Sequence, residues 1–512
     1  MKVGVLEILS DRVSHNWIQR TYNATFRKHY ASITPQAVAV WCRQLGHNVS
    51  YATYYGQQDP KSLLPDSLDV VFIATHTKAS AIAYALAKLY RKENTLTVIG
   101  GPHARSFPQD CLRFFDLAVE DCDKPLINDI LRGSYDPPAI ISSGRRLEEI
   151  PSIQERLPEI SVASFRRGRP SLFTNIPILT SMGCPYRCDF CLDWRSPYTV
   201  LPAEQVAADL HFMSKHLPGV MISYHDPIFG VKFKRIMDIL ETVPKTARNP
   251  YIIETSLSVL RGRRMRQLQE TNCVYLAPGV ESWASYSDKA GVGPTIGRAK
   301  FEKVVQHIEE LFRYVQGLQV NFMLGTDADE GDEPFELTKE FIKRTAFAWP
   351  TMNIPTPFGG TPLFEDHLAK DRILTSMPFS FYYTPYLVTT LKNYHPLEYY
   401  EKLIETHEFA LSSNMLMRRV LGTPKKGLKT LHVLRTLFFK EELSELRTIR
   451  ERLRTDPQFR AFHEGRTNKL PDFYIRRHKE RLGPYAELIT EDEMYPNLHP
   501  ISAWGGARAH SI

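Results

Sequence analysis

Long apolar runs are missing from this chain. No stretch reaches the about 18 uninterrupted apolar residues of a bilayer-crossing helix, so no membrane span is expected. The apolar N-terminal run from Met1 to Leu9 is short and broken by Glu7, which suits a first β-strand better than a secretory leader. Cysteine is sparse: seven in 512 residues, an odd number without paired spacing. A disulfide framework is therefore excluded, and a reducing, cytoplasmic setting is expected. Neither sign of charge prevails, since 64 Lys and Arg against 57 Asp and Glu leave a net +7. That excess is mild and spread over helical stretches such as Arg261–Arg264 and Arg476–Lys479, which read as solvated faces and not as a nucleic-acid surface. Internal repeats and long low-complexity segments are absent too. What remains is an ordinary globular composition, 43% hydrophobic, on a chain long enough for two to four domains.

Three of the few cysteines sit together, in Gly183-Cys184-Pro185-Tyr186-Arg187-Cys188-Asp189-Phe190-Cys191. A tight loop with C-x3-C-x2-C spacing can turn three thiolates toward one point, and soft thiolates select an iron–sulfur cluster or zinc. The other four, Cys42, Cys111, Cys122 and Cys273, are scattered singly, and no fourth ligand is near. Structural zinc takes four protein ligands, whereas three on a four-iron cluster leave one iron open. This loop, with Phe190 before its third cysteine, resembles the cluster loop of the radical S-adenosylmethionine (SAM) superfamily. The resemblance implies a 4Fe-4S cluster on Cys184, Cys188 and Cys191, with SAM chelated at the open iron. It further implies reductive cleavage of SAM to a 5′-deoxyadenosyl radical that can attack an unactivated carbon, with a ferredoxin or flavodoxin as electron donor.

Residues 1–135 alternate strand and helix signals: strands over Lys2–Leu9, Asn48–Tyr54, Leu68–Ala74 and Leu96–Ile99, helices over Pro35–Leu45 and Ser80–Arg91. Continuous apolar strands between helices imply a parallel, doubly wound sheet of Rossmann type, whose ligands lie at the carboxyl ends of the strands. The turn Gly100-Gly101-Pro102-His103-Ala104 lets backbone approach a bulky ligand. It resembles the turn of the cobalamin-binding domains attached to many radical SAM enzymes, which implies cobalamin contacts at Thr75, Gly100 and Gly101. That domain's cobalt-ligating pattern, Asp-x-His-x-x-Gly, is not matched by Ser10-Asp11-Arg12-Val13-Ser14-His15. Cobalamin is thus expected without His15 as lower ligand, and His76 and His103 read as hydrogen-bonding loop residues. A domain of this fold without cofactor is the alternative.

Residues 136–172, with Pro137-Pro138 and Arg166-Arg167-Gly168-Arg169-Pro170, read as a linker. Residues 173–385 return to alternation. Six strands are predicted at Ile178–Ser181, Val220–Tyr224, Tyr251–Thr255, Val274–Gly279, Val320–Gly325 and Met352–Thr356, with helices including Ala203–His216 and Arg298–Val315. By resemblance this is the incomplete six-stranded β/α barrel of radical SAM proteins, with the cysteine loop after its first strand. Strand-end segments resemble the family's SAM contacts: Asp226 after the second strand, Gly279, Glu281 and Ser282 after the fourth, Asn321 and Gly325 on the fifth. Phe358–Leu363 resembles its Pro-Gly-Thr-Pro-Leu turn. Residues 386–512 are helical by pattern, over Leu397–Ser413, Leu428–Phe439 and Leu443–Arg454, and read as a cap on the barrel. The tyrosines Tyr382, Tyr383, Tyr386, Tyr399 and Tyr400 read as packing with a polar handle.

The fold expected is α/β: a Rossmann-like cobalamin-type domain, a partial barrel and a helical C-terminal domain. The activity that the resemblance implies is SAM- and cobalamin-dependent methylation of an unactivated carbon in a small molecule. Radical cyclisation or rearrangement is the alternative chemistry, and an iron–sulfur or zinc binding module the non-enzymatic alternative. Catalytic acid–base residues and the substrate are not legible.

Overall fold

The structure is a computed structural model that describes residues 1–11, 31–144 and 150–498; His15 lies outside the described residues. The first sheet holds β1 (Lys2–Ile8), β2 (Asn48–Tyr54), β3 (Val70–Thr75), β4 (Leu96–Gly100), β5 (Leu117–Val119) and β6 (Ala139–Ile141). Its order is β2-β1-β3-β4-β5-β6, parallel throughout. Strands with both faces apolar bury both. Leu6, Ile8, Val71 and Ile73 pack with Ile82 and Ala83 of helix Ser80–Lys92. Val3, Val5, Val70 and Phe72 pack with Ala37, Val38 and Trp41 of helix Ile33–Gln44. The strand order reverses between β1 and β3, which opens a crevice at their carboxyl ends.

β6 falls inside the stretch read as a linker; three residues are too few to show a period. The same stretch holds a helix, Ile153–Ser164, begun by a capping box of Ser152 and Glu155 and running on through Pro158. The proline concealed it, because an internal proline argues against a helix. Arg156 on this helix is buried. It donates to Gln36 Oε1 at 2.9 Å, Pro151 O at 2.8 Å and Pro177 O at 3.4 Å, so the stretch joins both sheets.

The second sheet begins with β7 (Asn175–Ile178). A short antiparallel pair, β8 (Ser181–Met182) and β9 (Thr199–Val200), follows; then come β10 (Met221–Tyr224), β11 (Tyr251–Ser256), β12 (Cys273–Glu281), β13 (Gly317–Met323) and β14 (Trp349–Asn353). The order is β14-β13-β12-β11-β10-β7, all parallel, with β7 and β14 as unjoined ends: an open barrel. Ile222, Ile253, Leu276 and Val320 face the outer helices, where Val206, Ile236, Leu268 and Val304 meet them. Glu254, Tyr275, Gln319 and Asn321 occupy the alternate, inward positions.

In the helical region, the two helices expected over 428–454 are one, Lys426–Thr455. The polar Lys440-Glu441-Glu442 between them interrupts the apolar stripe but consists of good helix formers. Leu446 and Ile449 share a core with Tyr399 and with Trp349 and Met352 of β14. The tyrosines pack as expected: Tyr399 donates to Leu324 O at 2.7 Å, Tyr400 to Pro385 O at 2.8 Å and Tyr386 to Glu445 at 2.8 Å. The region does more than cap the barrel. Leu482 and Ile489 enter the core beneath β1 and β3, and Lys88 holds Leu488 O and Glu493 at 2.7 Å. Among the described residues no helix is long and apolar enough to cross a membrane.

Candidate active site

Gly183, with φ at 69°, turns the chain out of β8 into the cysteine loop. Asp226, from the loop after β10, braces the approach. One carboxylate oxygen accepts from Thr180 N at 2.8 Å, the other from Thr180 Oγ1 and Ser181 Oγ at 2.5 Å each. Burial raises its pKa to about 6 against the pull of these donors. The residue expected to hold SAM is thus committed to its own protein neighbours.

Further contacts fix the loop. Trp194 Nε1 donates to Gly360 O at 2.9 Å, and Leu363 N donates to Asp189 O at 3.1 Å, which latches it to the turn after β14. Tyr186 is paired with Ser258 after β11. Arg105, from the first domain, reaches Ser196 Oγ at 2.9 Å and Asp193 at 3.5 Å. A Cβ on Gly359 would lie 2.0 Å from Ser106 O, so this glycine of the Phe358–Leu363 turn serves the contact between domains.

Cys188 is buried, and Cys184 and Cys191 are half-buried. Burial raises all three thiol pKa values, that of Cys188 to about 12, while the Lys289 ammonium opposes the rise. Tetrahedral zinc, with Zn–S near 2.3 Å, would draw its sulfurs to about 3.8 Å from one another. Among the described residues, the one trio of metal-type ligands with donor atoms within 4.8 Å of one another is Asp327, Asp366 and His367, and the cysteines are not such a trio. Three thiolates from one loop suit a four-iron cluster with one iron left open, whereas structural zinc takes four protein ligands. Cys42 and Cys111 are buried in the packing of the first sheet, Cys273 begins β12 at the far end of the barrel, and Cys122 lines the first sheet's side of the interdomain cavity; among the described residues none of them gathers with the loop cysteines within 4.8 Å.

Glu281 ends β12 in a register break, with φ at 65°, a left-handed conformation that strains a residue bearing Cβ. Its side chain folds back over Gly279, where a Cβ would stand 2.3 Å from Glu281 Oε1. Lys289 Nζ meets the same oxygen at 3.2 Å. Burial opposes the lysine's charge, but Glu281, Cys188 and Cys191 keep its pKa high. Lys289 lies 5.5 Å from the centroid of Phe190, whose other neighbour is Tyr286, stacked at 5.4 Å. Neither Lys289 nor Tyr286 belongs to a segment singled out in the sequence; an isolated lysine and tyrosine eight and five residues beyond Glu281 carry no spacing signal. Glu254 faces the same lumen, its pKa raised by burial.

The remaining candidates divide. Ser282 donates to Asp329 at 2.6 Å, and Asp329 also accepts from Gly325 N at 3.1 Å and Thr326 N at 2.9 Å, tying β12 to the end of β13. Gly325, with φ at 88°, makes room for Tyr399, whose Cε2 would lie 2.5 Å from an added Cβ. Asn321 accepts from Gln319 at 2.9 Å inside the barrel. A pocket of about 230 Å³ opens between Asp189, Tyr286, Gly325, Thr326 and Leu363, with His367 on its wall. His367 has its pKa lowered to about 4 by burial first and by Arg372 next. Arg372 already grips both oxygens of Asp327, at 2.5 and 2.8 Å.

A larger cavity, about 410 Å³, lies between the domains. Glu7, Thr75, His76, Gly100, Gly101 and Glu120 line one side; Met182, Gly183, Leu192, Asp193 and His225 line the other. Gly101 has φ at 90°, and its Cβ would be 3.2 Å from Thr75 N and O. At Gly100 an added Cβ would meet nothing nearer than Val119 O at 4.0 Å, so the space beside it is open. His103 points elsewhere, buried with Nε2 2.6 Å from Tyr84 OH.

Residues 178–342 match the model of the radical SAM superfamily. Over 402 residues the chain is 22% identical to bacteriochlorophyllide d C-8(2)-methyltransferase of Chlorobaculum tepidum, covering 73% of this chain and 84% of that one. It is 24% identical to hopanoid C-3 methylase of Methylococcus capsulatus over 355 residues, 64% of each chain. The fold is similar to that of the radical SAM methyltransferase TsrM of Kitasatospora setae, solved with tryptophan and a SAM analog, with a TM-score of 0.51 at 15% identity, covering 74% of this chain and 77% of that one. With the three-cysteine loop opening the matched stretch and the open barrel behind it, residues 178–342 are similar to the radical SAM superfamily in both sequence and site geometry.

Proposed function

We propose that the chain is a cobalamin-dependent radical SAM enzyme that methylates an unactivated carbon of a small molecule. The observation that carries this reading is the cavity between the domains, which brings the Gly100-Gly101 turn of the first sheet face to face with the flanks of the cysteine loop. A cluster and SAM supply a carbon radical on reduction, and cobalamin supplies a transferable methyl group. Cys184, Cys188 and Cys191 hold the cluster. Glu281 and Lys289, side by side at its edge, match the ammonium and carboxylate of an amino acid moiety, and Phe190 with Tyr286 gives an aromatic wall. Gly279 leaves room for Glu281, while Ser282, Asn321, Gly325 and Asp226 hold the strand ends that shape the site. Thr75, Gly100 and Gly101 form the cobalamin cradle. The barrel and helical region keep water from the reacting atoms. The similar proteins named as methylases of a bacteriochlorophyllide and a hopanoid support methyl transfer.

Reconstituted protein should carry about four irons, and Cys184→Ala should lose them. Under reduction it should release 5′-deoxyadenosine from SAM; none would reject the reading. Methylcobalamin should bind with a shift in its absorbance. Failure to bind, with deoxyadenosine still formed, would replace methylation by cyclisation or rearrangement. A ferredoxin or flavodoxin is the class of electron donor.

A further inference from the structure

Between Ser413 and Lys440 the chain carries seven Lys or Arg and no Asp or Glu. This stretch forms helix Ser413–Gly422 and the first half of helix Lys426–Thr455, which pack against each other. Two of its cations turn inward: Arg419 donates to Ala410 O at 2.6 Å, and Arg435 is bonded to Tyr275 OH. Arg418, Lys425, Lys426, Lys429 and Lys440 do not, and none of them forms an ion pair among the described residues. The second half of the long helix behaves otherwise, with Arg447 paired to Glu408 and Arg454 to Glu401. The same basic stretch exposes large apolar side chains: Met417 is 63% exposed, Leu421 75%, Val433 36% and Leu437 53%. Each helix presents two of these at i, i+4 spacing, and therefore on one face. Large apolar side chains left facing water bring no folding benefit, whereas apolar side chains among unpaired cations match the boundary between lipid headgroups and acyl chains.

We propose that this helical pair docks the protein on an anionic lipid bilayer, without spanning it. The apolar residues enter the headgroup boundary, and the five cations meet lipid phosphates; an acidic protein would satisfy the cations but would leave the bulky aliphatic tips needing a matched apolar surface. Docking places the barrel beside the membrane, since Arg435 of the same helix reaches Tyr275 on the barrel's inner face.

Flotation of the full-length protein with vesicles tests this without turnover, so its outcome is separable from that of the methylation reading. Native protein should float with equal parts phosphatidylcholine and phosphatidylglycerol, stay behind with phosphatidylcholine alone, and be released by raised salt. Each exposed cation should be worth about fivefold in partitioning. Lys425→Glu with Lys426→Glu, and separately Leu421→Ser with Leu437→Ser, should each weaken binding about tenfold or more, with cluster absorbance unchanged. Native protein that ignores anionic vesicles at low salt overturns the proposal, and so do variants that bind like native. Capture of an acidic flavodoxin without flotation also overturns it, in favour of a protein partner. Should a variant misfold, flotation of the native chain alone decides.

Discussion

Glu7 and Lys289 show what a single side chain can report. Glu7 is buried under the cavity between the domains, accepting from Ser32 N at 2.8 Å and Tyr51 OH at 3.2 Å. Burial raises its pKa from 4.5 to about 7, with those donors opposing. Between these values the native state keeps a proton that the unfolded chain has released, so stability falls as pH rises from about 4.5 to about 7 and is level above. The loss is of order 3 kcal/mol. Glu7→Gln should remove most of that slope and melt higher than native protein at pH near 8; equal slopes in melts across this range would refute the assignment. Lys289→Met should leave the iron content near native and weaken SAM binding by about tenfold, the worth of one charge-assisted hydrogen bond at about 1.4 kcal/mol. Equilibrium dialysis of SAM against the reconstituted variant measures this directly. The three cysteines were legible because their spacing is local. Lys289 was not, since its place depends on a fold-back after a strained Glu281 that no periodicity encodes.

Among the elements, the six barrel strands were readable to within a few residues, because buried parallel strands are short apolar runs set between helical patterns. Ala203–His216 emerged with the boundaries expected. The helix over Ile153–Ser164 was hidden by Pro158, and the long C-terminal helix by a polar triplet that local propensity tolerates. Gly325 was read as a SAM contact from its position on the fifth strand, yet the element it serves directly is helix Pro396–Leu411, which carries Tyr399. Gly325→Ala should therefore lower stability by about 2–3 kcal/mol, from the left-handed φ and from overpacking against the ring. Tyr399→Ala in the same chain should relieve the overpacking, so that the glycine change costs less in that background. Additive losses in denaturant titrations would refute the coupling.

On the scale of the whole molecule, the sequence announced two α/β units and a helical region but not how they meet. Arg105 on the cysteine loop, Gly359 against Ser106, and Arg156 between the sheets are each an ordinary residue in an ordinary local context. Leu482 is the clearest case: its pattern belongs to helix Asp472–Leu482, but its side chain is buried with β1 and β3. Leu482→Ala should destabilise the first domain by about 2–4 kcal/mol. Hydrogen exchange should rise in the amides of β1 and β3 and change little in β11 and β12. A rise confined to the helical region would show that the packing does not matter to the first sheet.

The grip of Lys88 on Glu493 joins positions 405 apart in sequence. The first sheet leaves the ribosome well before the helical region does, yet its hydrophobic interior stays open on one side until Leu482 and Ile489 have been synthesised. Contacts of such separation close late and slowly. A translation stall in the helical region would thus leave the first sheet with an exposed apolar seam, a natural point of engagement for chaperones.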